Sequence, residues 1–134
     1  SVRRALTALA ISGTSSRLRD IRFIFSHGGG TLPFLTERFT RLPLANKNVA
    51  ARVPGGVEAE LKRFHYDTAQ AAHPYALASL TRLIPVSQIV FGTDYPYRTA
   101  ADHVKGLTDF GFSAADAMAI DRDNAVRLMP QLKA

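Results

Sequence analysis

His27 and Asp94 each close a short apolar run: Ile21-Arg22-Phe23-Ile24-Phe25-Ser26 leads to His27, and Ile89-Val90-Phe91-Gly92-Thr93 leads to Asp94. Runs of this kind, ended by a polar side chain and a turn, are how α/β proteins present reactive groups at the carboxyl ends of buried parallel strands. An imidazole and a carboxylate brought together in this way can move a proton, ligate a metal or orient a substrate. Position alone also allows plainer roles: His27 as a strand-end histidine bonded to a loop carbonyl, and Asp94 as a turn or capping aspartate before Pro96. Gly28-Gly29-Gly30 follows His27 and lets the backbone approach a ligand closely. Asp67, after Phe64-His65-Tyr66, is a further strand-end carboxylate that either supports the site or caps a turn. The histidines have none of the i, i+2 or i, i+4 spacings of a compact metal motif, and His103 reads as a surface-helix residue. The glycines match neither a dinucleotide fingerprint nor a P-loop.

The elements that must position these residues alternate in type. Val2 to Ala10 has helical apolar spacing that stops before Gly13. Ile21 to Phe25 reads as a strand. Pro33 opens a helix whose inner face is Leu35, Phe39 and Leu42 and which Pro43 closes. Residues 43–56, with Asn46, Asn48, Pro54, Gly55 and Gly56, read as a long loop. Val57 to Arg63 is a short helix and Phe64 to Asp67 the next strand. His73-Pro74 opens a helix with Leu77, Leu80 and Ile84 inward, and the Ile89 strand follows. Thr99 to Asp102 is a variant capping box for a helix through Val104 and Leu107, capped by Gly111. Ser113 to Asp116 repeats the capping pattern before a last helix ending near Met129-Pro130. This alternation implies parallel strands joined by helical crossovers, but too few strands to close a barrel, so the chain reads as a piece of something larger.

At 134 residues the chain has the size of one domain, and 46% hydrophobic against 21% charged residues excludes wholesale disorder. No apolar run approaches the ~20 residues that cross a bilayer, and the basic N-terminus lacks a sustained apolar stretch. With no cysteine there is no disulfide framework, thiolate metal site or cysteine nucleophile. The expectation is a cytoplasmic protein. The net charge of +6 is spread along the chain, mostly as arginine, without a basic run interleaved with aromatics, so neither nucleic acid nor membrane is the expected partner.

The segment from Phe23 to Phe34, with Ser26-His27-Gly28-Gly29-Gly30-Thr31-Leu32-Pro33 at its centre, resembles the sixth-strand motif of the amidohydrolase-related family. This group includes aminocarboxymuconate-semialdehyde decarboxylase and the salicylate- and dihydroxybenzoate-type decarboxylases. Phe64 to Ala69 resembles the family's seventh strand, Val90 to Pro96 its eighth, and Asp123-Asn124-Ala125-Val126-Arg127-Leu128 its final helix. The motifs stand in family order and span nearly the whole chain.

The resemblance implies an α/β fold, a partial (β/α)8 TIM barrel. Residues 1–134 would form its C-terminal portion, strands six to eight with their helices. It implies that Asp94 is a metal ligand and catalytic carboxylate. His27 would be a catalytic proton-transfer group that also binds substrate, and Asp67 a supporting residue. Tyr95, with Tyr97, would contact the substrate. The implied cofactor is a divalent metal, zinc or alternatively manganese, which activates water for hydrolysis or holds a carboxylate for decarboxylation.

The family also draws ligands from an acidic-or-His-x-His motif on strand one and a histidine on strand five. Neither is present here, and Arg19 stands where members often carry proline. The chain alone is therefore expected not to retain the metal, and to associate with itself or with a missing N-terminal barrel half. The expected activity is metal-dependent, non-oxidative decarboxylation of a small aromatic or unsaturated carboxylic acid, the branch favoured by Gly28 to Pro33. The alternatives are hydrolysis of a lactone or amide on the same scaffold, and a non-catalytic fragment or half-barrel.

Overall fold

Apolar spacing, caps and breakers account for most elements of the computed structural model, which describes residues 2–133. Helix α1 (Val2–Ile11) buries Leu6 and Ala10 on one face and is followed by the one-turn α2 (Thr14–Arg17). Strand β1 (Ile24–Phe25) ends in a tight turn, His27–Gly29. Helix α3 (Leu32–Thr40) carries Pro33 in its first turn. After α4 (Leu42–Ala45), α5 (Lys47–Arg52) and α6 (Val57–Arg63) comes β2 (His65–Asp67). Helix α7 (Pro74–Leu83) leads to β3 (Ile89–Val90), and α8 (Ala100–Phe110), α9 (Ala114–Met118) and α10 (Asn124–Leu128) finish the chain. Among the described residues no helix is long and apolar enough to cross a membrane.

The strands form one parallel sheet in the order β1-β2-β3, with Ile24 opposite His65, Phe25 opposite Tyr66, Tyr66 opposite Ile89 and Asp67 opposite Val90. Side chains alternate along a strand, so Phe25, Tyr66 and Ile89 share one face and Ile24, His65, Asp67 and Val90 the other. The first face is the core. Tyr66 and Ile89 are fully buried beside Leu6, Leu32, Leu61, Leu77, Leu80, Ile84 and Ile120. Phe25 and Phe64 meet edge to face with ring centroids 5.2 Å apart, a geometry that adds to their area burial. The Tyr66 hydroxyl donates to the Leu61 carbonyl at 2.8 Å, and burial raises its pKa far above the usual phenol value. The second face is open at β1, where Ile24 is half exposed.

The elements depart from the sequence expectation at residues 43–56, at Pro43, in α3 and in β1. Residues 43–56 are not one long loop, because Asn46 accepts from the backbone N–H groups of Asn48 and Val49 and caps α5, while buried Val49 and Val53 anchor that helix. Pro43 starts α4 rather than closing α3. In α3 the buried residue is Leu32, one turn earlier than expected, and Leu42 is exposed. Strand β1 lacks Ile21 and Arg22, since β2 begins at His65 and its first cross-strand bond, His65 N–H to the Phe23 carbonyl at 2.9 Å, leaves nothing opposite them.

Helix α8 has the expected capping box. Thr99 Oγ1 accepts from the Asp102 backbone N–H while the Asp102 carboxylate accepts from the Thr99 backbone N–H. It packs on the loop after β2 so closely that a Cβ on Gly106 would fall onto the Ala72 carbonyl. That carbonyl is backbone and cannot rotate away, so Gly106→Ala must displace the helix or the loop. The expected result is a loss of about 1–3 kcal/mol, read as a lower denaturation midpoint in urea with an unchanged slope.

Candidate active site

The parallel register sets the carboxyl ends of the strands side by side, and the side chains beyond them meet. His27 Nε2 lies 3.4 Å from Asp94 Oδ2, with both side chains part-exposed. This exceeds the 2.7–3.2 Å of a tight N–H···O bond, so the two groups touch without a tight hydrogen bond between them. The same Oδ2 accepts from Gln70 Nε2 at 3.1 Å. His27, Gln70 and Asp94 have φ of 58°, 55° and 64°, and they are the non-glycine residues with positive φ among those described. Each left-handed residue costs about 1–2 kcal/mol, and such strain concentrates where surrounding contacts over-determine the backbone for function.

Asp67 supplies one of those contacts. Its Oδ1 accepts the His27 backbone N–H at 2.8 Å and the Ala69 N–H at 3.0 Å. It thus ties the His27 backbone to the end of β2 and closes its own turn. Burial raises the Asp67 pKa above the ordinary 3.8, against the lowering effect of those two N–H donors. Thr68 ties β2 to β3 by donating to the Gly92 carbonyl at 2.9 Å and accepting from the Gly92 N–H at 3.0 Å. Gly92 leaves room there, since a Cβ would come within 3.0 Å of the Asp67 side chain.

A cleft of about 580 Å³ opens beside His27, lined by Val2, Arg3, His27, Gly30, Thr31, Phe34 and Leu35. Its walls are largely apolar, with one imidazole and one guanidinium. Tyr95 and Tyr97 do not line it, and both rings are exposed. His65 lies at the opposite end of β2 from Asp67, its Nδ1 buried without a hydrogen-bond partner. Burial, then the charges of Arg127 and Arg22, lower its pKa. His73 caps α7 through Nδ1. His103 is not a surface residue: it is 1% exposed and faces the loop after β2.

The sequence gives Gln70 and Arg3 no local signal of a role, and it places His103 on a helix surface. Gln70 stands just past a strand end, but Asp67 and Thr68 already account for that turn. A carboxylate oxygen and an imidazole nitrogen are donors that zinc and manganese both accept. Among the described residues no three His, Cys, Asp or Glu side chains converge, whereas a catalytic zinc takes three protein ligands. The donor chemistry fits a divalent ion; the donor count does not close within this segment.

The amidohydrolase family model matches residues 2–130. The 6-methylsalicylic acid decarboxylase acuB of Aspergillus aculeatus is 32% identical over 139 residues, covering 97% of this chain and 42% of that protein. The 6-methylsalicylic acid decarboxylase of Penicillium expansum is 31% identical, covering 97% of this chain and 41% of that protein. The chain therefore spans about two fifths of the curated relatives it matches. Among solved structures, a 2,6-dihydroxybenzoate decarboxylase complexed with 2,6-dihydroxybenzoate superposes with a TM-score of 0.81 at 21% identity, over 96% of this chain and 40% of that one. A dihydroxybenzoic acid decarboxylase from Polaromonas, with bound manganese and the inhibitor 2-nitroresorcinol, gives 0.81 at 20% identity over 98% and 40%. These likenesses show a shared α/β fold.

The raised Asp67 pKa has a signed consequence. A carboxyl whose folded pKa exceeds its unfolded value contributes stability at pH below the unfolded value, and that contribution is lost as pH rises through the folded one. Asp67→Asn keeps the Oδ1 acceptor for His27 and Ala69 and removes the titration. The variant is therefore expected to gain stability relative to wild type as pH rises from about 3.8 toward neutrality, checked by urea unfolding of both proteins across that range.

Proposed function

The chain belongs to the amidohydrolase family, and from that premise we propose that it is the C-terminal portion of a (β/α)8 barrel, strands six to eight with their helices. The whole protein, on this reading, is a metal-dependent, non-oxidative decarboxylase of a small aromatic carboxylic acid. The observation that carries the proposal is the His27–Asp94 pair, 3.4 Å apart at the ends of β1 and β3 beside a largely apolar cleft. The names of the curated relatives support the choice of an aromatic acid.

The residues present suit that chemistry. An aromatic ring packs against Phe34 and Leu35, and the Arg3 guanidinium attracts its carboxylate. His27, in its imidazolium form, delivers a proton to the ring carbon that bears the carboxylate. A C–H bond forms there, and the C–C bond to the carboxylate then breaks. Its electron pair restores the aromatic ring, carbon dioxide leaves, and the neutral imidazole recovers a proton from water. Asp94 Oδ2 keeps the ring of His27 aligned throughout.

The divalent ion, zinc or manganese, supplies positive charge to hold the substrate. In this proposal Asp94 is the ligand the segment contributes, and the rest come from the barrel's other strands. Until they do, the unpaired outer edges of β1 and β3 and the half-exposed Ile24 favour association with an N-terminal half or a second copy.

The test is to combine the chain with a polypeptide carrying the family's strand-one and strand-five ligands, add manganese or zinc, and measure carbon dioxide release from 6-methylsalicylate and 2,6-dihydroxybenzoate. Metal-dependent release is expected. Lactone or amide hydrolysis without carbon dioxide would overturn the decarboxylase reading in favour of a hydrolase. In the active protein, His27→Gln is expected to lower kcat by about 10²–10⁴-fold, the usual range for losing a positioned acid or base.

A further inference from the structure

We propose that Gln70, locked in place by the buried imidazole of His103, is the positioning residue for Asp94; the inference rests on the reading of Asp94 as a catalytic carboxylate. The argument begins at α8. His103 is 1% exposed. Its Nε2 stands 3.1 Å from the backbone nitrogen of Gln70, and its Nδ1 2.9 Å from the Thr99 carbonyl. A backbone N–H can only donate and a carbonyl can only accept. Nε2 is therefore the acceptor, Nδ1 carries the hydrogen, and the ring is neutral in a single tautomer. Both nitrogens are satisfied in one orientation, and the bond at Nε2 holds one backbone atom of one loop residue.

That residue is strained, with a φ of 55°. Left-handed backbone at a residue other than glycine costs about 1–2 kcal/mol, comparable to the net value of a buried hydrogen bond, so the His103 contact offsets the strain. It can form because Gly106, one turn further along α8, lets the helix touch the loop at Ala72.

Held this way, Gln70 sends its side-chain amide to Asp94 Oδ2 at 3.1 Å. A carboxylate only accepts, so the amide nitrogen faces it. His27 Nε2 approaches the same oxygen at 3.4 Å. The Gln70 amide therefore makes the hydrogen bond that orients the carboxylate, with the His27 ring in contact beside the same oxygen. Gln70 is half-buried, and its backbone and side chain are each held by a named hydrogen bond, to His103 and to Asp94.

Four variants of the complete barrel test this, with free manganese followed by electron paramagnetic resonance alongside turnover and thermal midpoint. Gln70→Met keeps the length and removes the donor. His103→Asn can still serve Thr99 but falls short of Gln70, whereas His103→Gln places an acceptor where Nε2 was. Gln70→Met is expected to weaken manganese binding and lower kcat by about 10- to 100-fold, as loss of a ligand's orienting partner does, with KM for the aromatic acid unchanged. His103→Asn should reproduce that loss and His103→Gln restore it. The double variant Gln70→Met/His103→Asn should be no worse than Gln70→Met, because both act through one path.

Wild-type manganese affinity and kcat in Gln70→Met would overturn the inference. Additive losses in the double variant that track the thermal midpoint would do the same. If the unsubstituted barrel binds manganese but releases no carbon dioxide, the decarboxylase reading fails by itself. The loss of affinity in Gln70→Met would then still support Gln70 as the residue that sets Asp94.

Discussion

The carboxylate of Asp67 sits where β2 ends, and the geometry of the site depends on what its Oδ1 holds. It takes the backbone N–H of His27 from the turn after β1 and the N–H of Ala69 from its own turn, at 2.8 and 3.0 Å. Two loops are thereby fastened to the central strand by one oxygen. Thr68, the next residue, fastens the third loop through Gly92. The middle strand acts as a bracket: its last residue and the next reach to either side and set the ends of β1 and β3 at fixed positions. Partial burial makes ionisation of Asp67 unfavourable, and the two N–H donors only partly compensate. Stability is given up here for placement.

The same exchange recurs in the backbone. His27, Gln70 and Asp94 all have positive φ, and they are the residues whose side chains meet. A left-handed residue turns its side chain back across the end of its own strand, which an extended residue cannot do. The strain is the geometric condition for convergence. It is offset by specific bonds, the Asp67 carboxylate at His27 and the His103 imidazole at Gln70. The energy for the arrangement comes from the other face of the sheet, where Tyr66, Ile89, Leu77, Leu80 and Ile120 are buried with the helices. The open face can then be polar and incomplete without unfolding the sheet.

The strand ends were legible in the sequence because an apolar run broken by a polar residue is a local signal. So were the capping box at Thr99 and the Gly111 cap, where residue types are dictated by a handful of adjacent backbone groups. The helices within 43–56 were misread because asparagine serves both turns and N-caps. What decides for a cap at Asn46 is the burial of Val49 and Val53 against the rest of the fold, a long-range fact. His103 was misplaced for the same reason. It lies one turn before buried Leu107 on the inner face of α8, and what makes a histidine acceptable there is its bond to the Gln70 N–H, 33 residues away in the chain. Gln70 was missed because its role is set by two partners far along the chain, at positions 94 and 103.

The meeting of side chains from three strand ends follows from how parallel strands distribute chemistry. Each strand end contributes one or two side chains, so a metal that needs three ligands must draw on several strands. Three strands bring His27, Gln70 and Asp94 together and complete their support within the segment, down to the tautomer of His103. The supporting contacts are local to β1, β2, β3 and α8. The Gln70 amide holds the Asp94 carboxylate on one oxygen beside the His27 ring, and no group of three metal-binding side chains assembles among the described residues. Positioning is solved strand by strand, each strand end setting one or two side chains against its neighbours.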